Sequence, residues 1–270
     1  MRFFTEIRQQ IAYQRKLARW LGWKHGLQFR GAMLGARVGW HKGASVRLHP
    51  SNLLHPIELR LHSTDADVYA QVLMDEEYAA VVDEQARVIV DCGANIGLTS
   101  AYLLSRLPKA RVIAIEPFPA SAEMCRRNLA PYGSRATVIE AAVWHCCTSL
   151  VLDYIEGDEW GVRARPARPG EPQAGEPGAI AAIDLPSLGL ERIDILKIDI
   201  EGSEADLFAQ GTDRWLPSVS NIAIELHNAA CVGEFQAAMA GYRYTLSHCG
   251  ELTICQGITK SSPPPKCGDA

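Results

Sequence analysis

The stretch "VIVDCGANIGLTS", Val88 to Ser100, decides how the rest of the chain is read. Its apolar run stops at Asp91 and breaks at once into Gly93 and Gly97. A buried strand, a tight turn and the first turn of a helix fit that order, because glycine permits positive φ and close backbone approach. A helix start leaves backbone N–H groups without intrahelical partners. They point at the place where a small polar ligand would lie.

Outward from this stretch, the chain alternates between two kinds of segment. Strands are predicted at "RVIVD" (87–91), "ARVIAIE" (110–116), "ATVIEAAV" (136–143), "IDILKIDI" (193–200) and "SNIAIELH" (220–227), with helices near 97–107, 119–130 and 203–210. Near-continuous Val/Ile runs mark strands covered on both faces. The alternation predicts an α/β fold: a doubly wound, mostly parallel sheet with helices on both faces. "TSLVLDYI" (148–155) adds a further strand. "RARPARPGEPQAGEPG" (163–178) is too rich in Pro and Gly for a packed element and is predicted to be a mobile loop, either a substrate lid or a disordered insertion without a role.

Upstream, Ser63 to Val82 reads as a helix capped by Asp65 or Ser63, and short strands are expected between Gly35 and Leu61. Phe3 to Leu21 interleaves apolar and basic residues at helical spacing. Ten Lys or Arg stand in the first fifty residues against one acid, Glu6. Two readings fit this segment: a basic amphipathic helix in peripheral contact with an anionic membrane or a partner, or a helix packed on the main domain with a solvated basic face. The expected division is an extension over 1–62, the main domain over 63–260 and a disordered tail over 261–270.

Composition narrows the class. A chain of 270 residues with 47% hydrophobic content fits a globular protein, and a net charge of −4 argues against a wholesale nucleic-acid binder. The eight cysteines form no C-x-x-C pair, so they read as reduced thiols of a cytoplasmic protein. No apolar run approaches the ~20 residues of a membrane span.

The acids around the glycine turn indicate the ligand. Asp91 ends the first strand, and Glu116 ends the second about 20 residues after the turn, where an acid holds ribose hydroxyls. Both imply an adenosine-bearing ligand on the loop of Gly93, Ala94, Asn95 and Gly97. The nicotinamide fingerprint G-x-G-x-x-G would need glycines at 95 and 98, which hold Asn95 and Leu98. S-adenosylmethionine carries no phosphate, and an acid-rich loop suits its ammonium and ribose.

At this point "VIVDCGANIGLTS", "AIEPFPASAEMCRRNLA", "IDILKIDIEGSEADLFAQG" and "NIAIELH", in that order, resemble the FkbM family of S-adenosylmethionine-dependent methyltransferases. The resemblance covers roughly Ser63 to Leu226, and the K-I-D-x-E-G-x-E block is its most specific part. It implies the seven-stranded class I methyltransferase sheet and O-methylation of a hydroxyl on a sugar, glycan or natural product. It further implies that Asp91, Gly93, Asn95 and Gly97 hold the methionine end, Glu116 the ribose, and that Phe118 lies beside the adenine. Ala142, with Ala141 and Val143, would wall the adenine pocket; Tyr78 either closes over the cofactor or simply packs.

Lys197, Asp199 and Glu201 alternate at the end of an otherwise apolar strand, with Glu225 and His227 at the end of the next. They form either a structural salt-bridge network or a catalytic group. In one mechanism Asp199 or His227 is the general base and Lys197 orients it. In the other, Mg²⁺ held by Asp199, Glu225 and His227 activates the hydroxyl. Glu204 faces either the cleft or solvent. Two other functions stay open: a nicotinamide-dependent sugar-nucleotide oxidoreductase or epimerase, and a non-catalytic adenosine-binding module.

Overall fold

The computed structural model describes residues 2–37, 45–61, 63–155 and 158–261. It begins with α1 (Arg2–Arg37), the antiparallel pair β1 (Ser45–Leu48) and β2 (Ile57–Arg60), and the short α2 (Asp65–Tyr69). The alternating part follows with β3 (Val88–Cys92), α3 (Leu98–Arg106), β4 (Arg111–Ile115), α4 (Pro119–Leu129) and β5 (Ala136–Ile139). Next come β6 (Ala142–Val143), β7 (Thr148–Ile155), β8 (Asp158–Arg165) and β9 (Ala179–Ile183). The described chain ends with β10 (Ile195–Ile198), α5 (Glu204–Ala209), β11 (Asn221–Glu225), α6 (Ala229–Met239), β12 (Tyr242–Cys249) and β13 (Leu252–Lys260).

The main sheet has seven strands in the order β12-β13-β11-β10-β3-β4-β5. It is parallel from β11 to β5, while β13 runs antiparallel to both its neighbours. Side-chain alternation explains why the inner strands are apolar throughout. Ile89 and Ile195 enter one core layer with Leu73, Leu103 and Leu104; Val90 and Leu196 enter the other with Leu207, Phe208 and Phe235. A strand with helices over both faces has no position for a solvated side chain.

Four expectations need correction. The predicted strand 136–143 is two strands: β5 stays in the main sheet, whereas β6 pairs with β9 in a second, four-stranded sheet ordered β6-β9-β7-β8. The chain changes partners at Glu140, just after the Ile139 carbonyl accepts the Glu116 N–H at 3.0 Å. The predicted helix 63–82 is interrupted: α2 passes into a wider π turn at Ala70–Met74, Glu76 turns left-handed at φ 53°, and a 3-10 turn covers Glu77–Val81. Its N-cap position holds Thr64 rather than Ser63 or Asp65.

The segment 163–178 starts inside β8, and its turns are anchored. Arg165 pairs with Asp153 and Glu171 at 2.5 and 2.6 Å, and Glu171 also accepts the Arg168 N–H at 2.7 Å. The N-terminal helix runs well past Leu21, broken at Gly22 (φ 72°, ψ 159°). Leu17, Leu21 and Phe29 bury themselves in the core beside Tyr69 and Leu73, so this helix packs on the domain. Except for Ser261, the predicted tail lies outside the described residues. No helix among the described residues is long and apolar enough to cross a membrane.

Candidate active site

A cavity of about 390 Å³ opens at the carboxyl ends of β3, β4, β10 and β11. Open α/β sheets bind their ligands there. Of the residues singled out in the sequence, Tyr78, Gly93, Ala94, Asn95, Glu116, Ala142, Lys197, Asp199, Glu225 and His227 line it. Asp91, Gly97 and Phe118 do not.

The glycine loop is fixed by its neighbours on both sides. The Gly93 and Ala94 N–H groups donate to the Ile115 carbonyl of β4 at 2.9 and 3.0 Å. Gly93 has φ 75°, and a Cβ there would stand 1.7 Å from the Asp199 carbonyl oxygen, so β3 and β10 close on each other only because the residue is glycine. Asp91 lies one layer beneath the cavity floor, fully buried. Its Oδ2 accepts the Ser100 hydroxyl at 2.7 Å, and its Oδ1 lies 3.3 Å from Lys197 Nζ. Lys197, also buried, donates to the carbonyls of Cys92 and Gly93 and stands 3.7 Å from Asp199. Burial alone would lower the lysine pKa, but Asp91 and Asp199 outweigh it and push it up. Lys197 is therefore a permanent cation beneath the loop.

Glu116 is 6% exposed and sits across the loop from the charged strand ends. Its two oxygens accept the N–H groups of Asn95 and Phe118 at 2.8 and 2.9 Å. Burial pushes its pKa up to about 7 against those two hydrogen bonds. Each oxygen keeps a free lone pair, an arrangement suited to a pair of adjacent hydroxyls. Pro117, Ala142 and Val143 form an apolar wall beside it, and buried Tyr78 faces the cavity from the 3-10 turn. Burial raises the Tyr78 phenol pKa, so it stays neutral.

The opposite end is charged. His227 follows β11, with Nε2 3.3 Å from Glu201, 3.5 Å from Glu225 and 3.7 Å from Asp199. Its Nδ1 lies 3.0 Å from Glu204 Oε1. Burial pulls the imidazole pKa down, yet the hydrogen bonds to Glu201 and Glu204 prevail and push it up to about 11. A protonated ring cannot accept another proton, which opposes the general-base role considered for His227. Glu225 moves to about 7 through burial first and the charge of Asp199 second. A carboxylate raised that far can take a proton near neutrality.

Several contributors were not assigned roles from sequence. Glu204 faces neither cleft nor solvent: it is fully buried, and its Oε1 accepts the Ile200 and Gly202 N–H groups at 3.0 and 3.3 Å besides binding His227. Glu201, at a left-handed φ of 54°, brings its carboxylate to His227 and joins Asp199 there. Glu77 and Glu251 add acids to the cavity wall.

Arg60 on β2 is held by both carboxylate oxygens of Asp65, at 2.7 and 3.0 Å, and donates to Asn95 Oδ1 at 3.3 Å. Asn128 on α4 accepts the Glu58 N–H and donates to the carbonyls of Glu58 and Ile96. Both tie the extension to the glycine loop. Only the K-I-D-x-E-G-x-E spacing hinted at Glu201 and Glu204; nothing local to Arg60 reveals a partner 35 residues away.

Comparison with known proteins agrees with this geometry. The chain is 30% identical over 208 residues to the AMB antimetabolite synthetase AmbE of Pseudomonas aeruginosa, covering 63% of this chain but only 10% of that protein. It is 28% identical to the methyltransferase sdnD of Sordaria araneosa, over 58% of this chain and 73% of the relative. It is 26% identical to the 2-O-methyltransferase NoeI of Sinorhizobium fredii, over 51% and 62% of the two chains. The family model of the methyltransferase FkbM domain matches residues 91–251, which span the glycine loop, the strand-end acids and the chain up to the start of β13. The chain belongs to the FkbM methyltransferase family.

Proposed function

We propose that the protein transfers a methyl group from S-adenosylmethionine to a hydroxyl of a sugar, glycan or other hydroxylated natural product. The observation that carries this reading is a single cavity with Glu116 and an apolar wall at one end and Asp199, Glu225 and His227 at the other. The buried Glu116 carboxylate, with one lone pair free on each oxygen, fits a ribose diol, and Ala142 and Val143 suit the face of an adenine. The backbone of Gly93 to Asn95 would hold the amino-acid end. The cofactor supplies an electrophilic methyl on a sulfonium, and the protein must deliver an oxygen nucleophile to it. The name of NoeI, a 2-O-methyltransferase, supports oxygen as the acceptor atom.

A hydroxyl is a weak nucleophile at neutral pH, so its proton must be taken during attack. Glu225 is the proton acceptor in this reading, because its pKa of about 7 leaves a substantial basic fraction at neutrality. Asp199, between Lys197 and His227, accepts a hydrogen bond from the incoming hydroxyl and orients it. Protonated His227 and Lys197 restrain the negative charge gathered around the acceptor. Glu77, Glu201 and Glu251 offer further acceptors for the hydroxyls of a polyol.

A second activation route rests on one specific observation. Glu204 fixes the His227 ring through Nδ1, so that Nε2 faces carboxylates, and ligand atoms of Asp199, Glu201 and His227 lie within 4.8 Å of one another. This donor set fits a divalent cation such as Mg²⁺, held by Asp199, Glu201 and Glu225 with His227 in place of its proton, and such an ion would lower the pKa of a bound hydroxyl.

Transfer of labelled methyl from S-adenosylmethionine to a panel of sugars and polyols tests the reading, run with and without chelator. Product formation with S-adenosylhomocysteine release upholds it. Tight NADH binding with no S-adenosylhomocysteine binding would return the oxidoreductase alternative to the front. Loss of turnover in chelator, restored by Mg²⁺ or Mn²⁺, would select the metal route.

A further inference from the structure

We infer that the segment of α1 after Gly22 is a lipid-facing surface that docks the enzyme on an anionic membrane. This segment has two faces of opposite character. Phe29 is 1% exposed and faces the core, whereas Trp23, Leu27 and Leu34 are 60%, 59% and 53% exposed. At 100° per residue, positions 23, 27 and 34 fall within one narrow stripe. An exposed stripe of one Trp and two Leu gains nothing from water, and three of the five large hydrophobic side chains exposed among the described residues lie on it.

Two further observations specify the partner. First, the stripe adjoins a cleft of about 330 Å³, lined by the apolar Phe29, Met33 and Leu34 and by Tyr13, with Arg30 and Asp67 also on its wall. An apolar recess beside an exposed apolar stripe matches an acyl chain. Second, the sequence here is basic: no acid occurs between Glu6 and Glu58, Lys24 is exposed on the segment itself, and Arg15 and Arg19 are exposed on the helical turns before the Gly22 break. A protein partner would have to be both acidic and apolar at this spot. An anionic bilayer is both by nature, with a Trp at the headgroup level and basic residues around it. The stripe is too short and too one-sided to span, so contact is peripheral.

The test uses the full chain with phosphatidylcholine vesicles, with and without phosphatidylglycerol. Sedimentation with the anionic vesicles is expected, weakening as salt rises. Trp23→Ser combined with Leu27→Ser should reduce partitioning about tenfold or more, with melting temperature and S-adenosylhomocysteine affinity unchanged. Lys24→Glu should weaken binding only to the anionic vesicles. Equal partitioning of wild type and the double variant, or no binding to anionic vesicles, overturns the inference. A wild-type dimer in solution that the double variant converts to monomer would also overturn it, by assigning the stripe to a second copy of the chain.

Discussion

The two ends of the cavity are built in different ways. The glycine-loop end comes from one continuous run, Val88 to Ser100, plus Glu116 at the end of the adjacent strand. Its geometry is set by backbone: the Gly93 and Ala94 N–H groups on the Ile115 carbonyl, and Gly93 against the Asp199 carbonyl. The charged end is assembled from β10, the turn after it, α5, β11 and the residues before β13, and charged side chains hold it together. A site made of backbone tolerates almost no change of shape. A site made of side chains can lose one charge and keep its shape. Binding should therefore fail at the first end, and chemistry at the second.

The sharpest attempt to break this contrast is Gly93→Ala. A methyl 1.7 Å from the Asp199 carbonyl at positive φ forces β3 and β10 apart, so a loss of about 3 kcal/mol or more is expected, read as a drop in melting temperature together with loss of S-adenosylhomocysteine binding. A stable, binding-competent variant would refute the backbone account. Next in size, Glu225→Gln and Asp199→Asn should each reduce kcat by about 10²–10³. Calorimetry should find S-adenosylhomocysteine affinity within a few-fold of wild type for both. If affinity collapses as well, the two ends are not separable.

Glu116→Gln should do the reverse, weakening S-adenosylhomocysteine by about 10- to 100-fold through the lost charge-assisted hydrogen bonds, with the fold intact. It also carries a signature in pH. The folded-state pKa of Glu116 is raised to about 7 by burial, above its ordinary carboxylate value. Between those two values the folded chain holds a proton that the unfolded chain has released, so this group favours folding at low pH and loses that contribution as pH rises toward 7. Wild type should therefore lose about 2–3 kcal/mol relative to Glu116→Gln between pH 5 and 7.5 in chemical denaturation. Parallel pH profiles would contradict a buried, proton-binding Glu116. The smallest effect belongs to Asn95→Gly, which keeps the left-handed turn (φ 49°) and removes only the acceptor for Arg60. A fall of about threefold in S-adenosylhomocysteine affinity is expected, in line with one weak hydrogen bond.

The same contrast explains what the sequence disclosed. Strands β3, β4, β10 and β11 were legible because burial on both faces leaves uninterrupted Val/Ile/Leu runs, and Asp91, Glu116, Asp199 and Glu225 stand out by ending them. The second sheet was hidden. β8 and β9 carry Arg163, Arg165 and several alanines, and they flank β7 in the sheet from opposite ends of a Pro/Gly stretch that reads as loop. Glu204, at the start of a helix, could be read from sequence as facing either the cleft or solvent. Its burial follows from the turn at Glu201 to Ser203, which swings it under His227, and no local periodicity encodes that turn. Arg60 needed the tertiary structure, since its role depends on β2 lying beside α4 and the glycine loop.

That last placement bears on how the enzyme can be cut and recombined. Residues 91–251 carry the family match, yet the loop at their start is braced by Arg60 and, through Asn128, by the backbone of Glu58. A graft designed to those boundaries would sever the brace. The glycine loop would keep these contacts only if the recipient protein supplied an arginine and a strand edge at the same place, so a module that retains the brace has to begin no later than β1.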